Sequence, residues 1–300
     1  MIIIGAGMSG LLASHYFRHM EPLVVESQPS LPNNHKALLR FRSSAVSELT
    51  GIPFSKVKVQ KLISYKGFKI SQPDMYLNNM YSQKVTGSVR ARSLTNLSDC
   101  ERFIAPEDFI KKLSNGIDVS YGEKVVSFED YDEPIISTMP VYKLAELLDY
   151  ELPDLKYRSI QAISFDLDMD IDVYQTIYYP GIESQYRVSI TGNKVIAEFA
   201  KDMNGSHADD EIRDILRKLE DDFGIVYTGE FPEATFSNQK YGKLIECEDN
   251  SVKKFIGWAT REHNVYSLGR WGTHRQILMD DVVKDIRQID KLISNKGYHV

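Results

Sequence analysis

The chain has 300 residues, 42% of them hydrophobic, which suffices for one large or two closely joined domains with a real core. It holds no run of about 18 apolar residues, so no membrane-spanning helix is expected, and its two cysteines, Cys100 and Cys247, fit a reduced cytoplasmic protein. The net charge of −6 hides a segregation. Lys36 to Lys112 carries 14 Lys and Arg against 6 Asp and Glu, and the rest carries 22 against 36. That pattern suits either a solvated basic face or an anionic partner such as a nucleotide, a nucleotide sugar or nucleic acid.

The first predicted element is the strand Ile2-Ile3-Ile4, and its start at residue 2 leaves no room for a signal peptide. Gly5-Ala6-Gly7-Met8-Ser9-Gly10 follows, then a helical pattern, then the strand Leu23-Val24-Val25 ending on Glu26. This is the G-x-G-x-x-G dinucleotide fingerprint in its strand-turn-helix setting. Gly5 permits the tight turn, Gly7 lets the backbone approach a pyrophosphate, Gly10 lets helix and strand pack closely, and Glu26 would accept hydrogen bonds from a ribose. The fingerprint alone leaves NAD and FAD open.

Residues 29–35 read as a loop leaving the sheet, and 36–102 as a basic insert with strand candidates at Lys56–Ile63 and Lys66–Ile70 and a helix end at Ser47–Gly51. Pro106–Leu113 reads as a helix stopped by Asn115-Gly116. Glu123–Phe128 and Pro134–Thr138 read as short strands, Val141–Asp149 as a helix. Ile160–Asp168, Tyr174–Tyr179, Tyr186–Thr191 and Lys194–Phe199 form a run of strands with turns at Pro180-Gly181 and Gly192-Asn193, an antiparallel second sheet. Ile212, Ile215, Leu216, Leu219 and Phe223 give Asp209–Phe223 a helical period. Val265–Leu268 is a strand, Gly269–Gly272 a glycine turn, and Met279–Ile293 the last helix. The expected fold is α/β: a Rossmann-like FAD/NAD(P)-binding domain from 1–35, 103–150 and 255–300, with a mixed, largely antiparallel sheet in a substrate domain from 36–102 and 151–254.

The closing stretch Val265-Tyr266-Ser267-Leu268-Gly269-Arg270-Trp271-Gly272, followed by Met279-Asp280-Asp281-Val282-Val283, resembles the final motif of the FAD family that contains amine oxidases, protoporphyrinogen oxidase and UDP-galactopyranose mutase. Ile135–Pro140 is similar to that family's strand near the cofactor, and Lys124-Val125-Val126 to the strand whose backbone meets adenine. Tyr178–Gly181 with Ser184–Val188 is similar to the substrate-side sheet of mutase-like members. The resemblance implies non-covalent FAD held by Gly5, Gly7, Met8, Ser9, Gly10, Glu26, Ser27, Arg42, Val125, Thr138, Gly269, Arg270, Met279 and Asp280. A fixed guanidinium neutralises the diphosphate, and the amides at a helix start favour charge on the reduced flavin. His35, Arg40, Tyr178, Tyr186, Arg187, His274 and Arg275 would bind an anionic substrate. Where mutases carry a tyrosine in the closing turn, Thr273–Leu278 has Gln276, which argues against that isomerisation.

His35–Ser44 and the small size also resemble compact bacteriophage flavoproteins associated with thymidine hypermodification in DNA, in which an amino acid on the base is oxidised. The implied activity is an FAD-dependent, amine-oxidase-like oxidation of a C–N bond on a nucleotide- or DNA-linked substrate. A mutase-like isomerase using reduced flavin, and a flavin- or nucleic-acid-binding module without turnover, are the alternatives. No catalytic base can be named. No metal site is expected, because His15, His19 and His207 lack partners at ligand spacing, and no nucleophile elbow supports hydrolysis.

Overall fold

Three consecutive isoleucines start the first sheet because both of its faces are covered. Ile2 and Ile4 face one helical layer and Ile3 the other, so the strand reads as an unbroken apolar run. The computed structural model describes residues 1–31, 40–89, 94, 97, 99–128, 131–200, 208–245, 247 and 250–297, the side chains of 208 and 240 excepted. The chain divides into two units, Met1–Lys56 with Phe103–Lys156 and Glu246–Val300, and Val57–Arg102 with Tyr157–Ile245.

The first unit contains β1 (Ile2–Ile4), α1 (Met8–Tyr16), β2 (Leu23–Glu26), β3 (Arg40–Phe41), α2 (Ala45–Thr50), α4 (Phe109–Ser114), β7 (Val119–Tyr121), β8 (Ile135–Ser137), α5 (Val141–Leu147), α7 (Ser251–Glu262), β14 (Val265–Ser267), α8 (Gly269–Gly272) and α9 (Met279–Asn295). Its sheet runs β14-β8-β1-β2-β7, every ladder parallel. Leu11 and Leu12 of α1 pack with Val282, Val283 and Ile286 of α9 on the Ile3 face. Leu144 of α5 and Phe255 and Ala259 of α7 cover the Ile2–Ile4 face. The result is a three-layer Rossmann-like arrangement, with the strand ends after β1, β2, β8 and β14 on one edge.

The second unit contains β4 (Ser55–Tyr65) and β6 (Cys100–Ile104), which run across the unit boundaries, with β5 (Phe68–Ile70), α3 (Met75–Thr86), β9 (Tyr157–Asp166), β10 (Val173–Tyr178), β11 (Gln185–Gly192), β12 (Lys194–Phe199), α6 (Ala208–Phe223) and β13 (Thr235–Leu244). Its strands are ordered β13-β9-β12-β11-β10-β4. All these pairs are antiparallel except β10 with β4, so the sheet is mixed and largely antiparallel. Ile212, Ile215 and Leu219 of α6 cover one face. Tyr81 and Val85 of α3 pack on Ile63, Ile160 and Tyr186 of the other.

Three sequence expectations are corrected. The strand placed at 123–128 is instead β7, at Val119–Tyr121, because Gly122 turns the chain at φ 76°. The chain still runs along the end of β2, through Gly122 N to Gln28 O at 2.9 Å and Glu123 N to Glu26 O at 3.0 Å. The glycine turn at 269–272 is the short helix α8. Residues 40–56, 151–156 and 246–254, read with the substrate domain, cluster with the first unit.

Candidate functional site

The fingerprint loop has the geometry that its glycines require. Gly5 has φ 98°, where a side chain is strained, and a Cβ on Gly10 would lie 1.9 Å from the Gly5 carbonyl oxygen. A Cβ on Gly7 would meet nothing within 4 Å, so the space beside that backbone is open on the side where a ligand backbone contact is needed. Gly7 caps α1 in an extended conformation without a side-chain bond. The first amides of α1, at Met8, Ser9 and Gly10, therefore have no side-chain cap, and a helix start of this kind can accept an anion. Glu26 ends β2 buried, and its carboxylate accepts from Ala6 N at 2.7 Å, Gln28 N at 2.8 Å and Ser27 Oγ at 3.3 Å. A carboxylate has about four lone-pair sites, so room for a ribose hydroxyl is left.

The second motif converges on the first. Gly269 has φ 82°, and a Cβ there would lie 2.6 Å from Ser9 Oγ. Residues 260 positions apart thus meet at the first turn of α1, and Arg270 leaves from that contact with its guanidinium over the Trp271 ring at 5.5 Å. Gly272 is equally constrained, with Ser137 O 2.9 Å from its would-be Cβ. An arginine and a bare helix start are donors of the kind a diphosphate takes.

Other predicted residues are engaged differently. Asp280, buried at the start of α9, accepts from Arg42 N at 3.1 Å, Ser43 N at 2.8 Å and Ser43 Oγ at 2.6 Å, so it clamps the chain after β3. Arg42 is an exposed side chain 3.9 Å from Asp281. Arg40 and Arg42 flank the buried Phe41, and Arg40 pairs in register with Ile104. Met279 opens α9 half-buried, and Thr138 donates its hydroxyl to Ile4 O at 2.8 Å. Val125 is half-buried against the α5 and α7 side of the sheet. His274 is buried at φ 47°, and Arg275 donates to Thr273 Oγ1 at 3.1 Å and pairs with Asp285 of α9. His35 lies outside the described residues.

In the second unit, Tyr178, Tyr186 and Arg187 form one cluster whose other members, Glu198, Lys243 and Tyr81, the sequence reading missed. Tyr186 is fully buried and donates to Glu198 Oε1 at 2.9 Å, Arg187 pairs with the same carboxylate, and Lys243 lies 4.0 Å away. Burial pushes the Glu198 carboxyl up, but Arg187 and Lys243 overcome it and hold the group at about 2. Burial and the neighbouring carboxylate raise the Tyr186 phenol. Tyr81 stacks edge-on to Tyr178 at 5.4 Å and to Tyr186 at 6.1 Å. The missing signal is the register: Glu198 lies opposite Arg187 on neighbouring strands, with a bulge between Gln185 and Arg187 turning both Tyr186 and Arg187 toward it. Among the described residues no group of His, Cys, Asp and Glu could hold a metal, and no helix is long and apolar enough to cross a membrane.

No family model and no curated protein matches the sequence. Solved structures do match its fold. A candidate protoporphyrinogen oxidase from Exiguobacterium sp. 255-15 superposes with a TM-score of 0.62 at 11% identity, covering 99% of this chain and 98% of that one. An FAD-dependent oxidoreductase from Pseudomonas aeruginosa gives 0.56 at 13% identity over 99% and 91%. A p-nitrophenol 4-monooxygenase from Pseudomonas putida DLL-E4 gives 0.59 at 10% identity over 99% and 80%. The fold is that of Rossmann-like FAD-binding oxidoreductases.

Proposed function

We propose that the first unit binds FAD and that the protein is an FAD-dependent oxidoreductase that oxidises a C–N bond of an anionic, nucleotide- or DNA-linked substrate. The observation that carries the FAD assignment is the seat of Gly269 on Ser9, which joins the fingerprint to the Gly-Arg motif at one helix start. There the amides of Met8, Ser9 and Gly10 and the Arg270 guanidinium would hold the diphosphate, and Glu26 the adenosine ribose. Asp280 would act indirectly, by fixing the backbone of residues 42–43. Bound FAD supplies a two-electron acceptor for a hydride from the carbon bearing nitrogen. A neutral amine losing hydride becomes an iminium ion, with its nitrogen lone pair forming the new C=N bond, so that step needs no side-chain base; water then hydrolyses the iminium to a carbonyl and ammonium.

The basic stretch 36–112 supports an anionic substrate. The resemblance to phage flavoproteins favours a thymidine-derived one. The test begins with the purified protein's visible spectrum and identification of any released chromophore, with FAD as the expected result. A colourless protein that NAD but not FAD reconstitutes overturns the assignment. Anaerobic addition of amine-bearing thymidine nucleotides should then bleach the flavin, and no bleaching by any of them removes the C–N reading while leaving FAD in place.

A further inference from the structure

A cavity of about 610 Å³ opens in the first unit on the outer side of β14, between α7 and α9. Its lining includes none of the fingerprint glycines, nor Glu26, Gly269, Arg270 or Asp280. It lies along the edge strand β14, and its lining passes from Ser267 to Thr273 on the far side of the Gly269-Arg270 motif without including either residue. The size falls within the roughly 300–1,000 Å³ of small-molecule sites.

Three observations define what it would take. The ladder bonds from Ile135 N to Asn264 O and from Leu268 N to Ser137 O turn Asn264 and Leu268 toward β8, so the alternation turns the Ser267 N–H and C=O to the open edge. The Ser267 hydroxyl, on a residue 8% exposed that lines the cavity, is buried without a hydrogen-bond partner among the described residues. The charged residues of the lining are Lys253, Arg275 and Asp285. Asp285 pairs with Arg275, but a guanidinium has five N–H donors, and Thr273 and Asp285 account for two of them. Lys253 and Arg275 against Asp285 therefore leave one positive charge over among these three. Ile256, Ile289 and Leu292 supply the apolar wall.

We propose that this cavity binds a small amphipathic monoanion, its carboxylate or sulfonate between Lys253 and Arg275, a polar atom on Ser267, and its apolar body against Ile256, Ile289 and Leu292. His274 and Arg275 thereby pass from the oxidised substrate to this second ligand, and the site stands whether or not the FAD reading does.

The test is calorimetric titration of the FAD-saturated protein with 8-anilinonaphthalene-1-sulfonate, an amphipathic monoanion. One saturable site is expected. Lys253→Glu, on an exposed side chain that leaves the wall intact, should weaken it about tenfold. Leu292→Trp, which fills the cavity from a partly exposed position, should abolish it, with the flavin spectrum unchanged in both. No binding, several equivalent weak sites, or one site unaffected by Lys253→Glu each overturns the proposal. Should Leu292→Trp fail to fold, Lys253→Glu decides alone.

Discussion

Single atoms decide between a structural and a binding role for the fingerprint glycines. A methyl on Gly10 would collide with backbone, the Gly5 carbonyl oxygen 1.9 Å away, whereas one on Gly7 would meet nothing within 4 Å at a backbone conformation, φ −68°, that alanine adopts freely. Gly10→Ala should therefore lower both the melting temperature and FAD content. Gly7→Ala should keep apo stability within about 0.5 kcal/mol of the parent and lose FAD affinity at least tenfold, because the added methyl occupies only the space a diphosphate would use. Equal FAD affinity in Gly7→Ala, measured by flavin fluorescence on titration, would remove the pyrophosphate from this loop. Gly269→Ala combines a strained φ of 82° with the Ser9 hydroxyl 2.6 Å from the added carbon, so shortening Ser9 should relieve it only in part.

Between elements, charge does the joining in the second unit, since Arg187 on β11, Glu198 on β12 and Lys243 on β13 share one buried carboxylate. A carboxyl held at about 2 when folded, against an ordinary 4.5, stabilises the fold fully above its unfolded value and loses that contribution as pH falls from about 4.5 toward 2. The contribution is on the order of 3 kcal/mol. Glu198→Gln should cost a similar amount at pH 7, because it leaves two cations beside each other, and the gap to the parent should close by pH 2 in urea unfolding. A gap that persists at pH 2 would mean that packing around Tyr186, not charge, is what the substitution damages. None of this could be read from the chain, because cross-strand register joins residues that no local pattern connects. Elements with strong local signals were readable: β1, α1, α6 and α9 stand where an unbroken apolar run, the fingerprint glycines and the helical pattern place them. The sequence reading passed over α3, although Asp74 caps it through Leu77 N and Gly87 ends it in the left-handed conformation, because Asn78, Asn79, Ser82 and Gln83 blur its apolar stripe. α7 carries Gly257 in its interior, and β13 mixes Ser, Asn, Gln and Lys without alternation, as an edge strand can.

At the scale of the whole molecule, the chain crosses between the two units four times, yet each has its own apolar clusters. The predicted cofactor residues of the described chain all fall in the first unit, so FAD held by them would add its binding energy there. A ligand at about 100 times its dissociation constant stabilises the state that binds it by about 2.7 kcal/mol, close to a hundredfold in the opening equilibrium. If the units open separately, saturating FAD should slow amide hydrogen exchange about a hundredfold in peptides covering β1, α1, β2 and β14, and leave those covering β9 to β13 unchanged. Protection rising by the same factor in both sets would show that the two units unfold as one cooperative body. Cofactor occupancy would then govern the survival of the whole chain, including the Glu198 cluster, and the midpoint of acid unfolding would shift to lower pH in the FAD-loaded protein. Separate opening makes that acid limb independent of FAD, so the two experiments check each other.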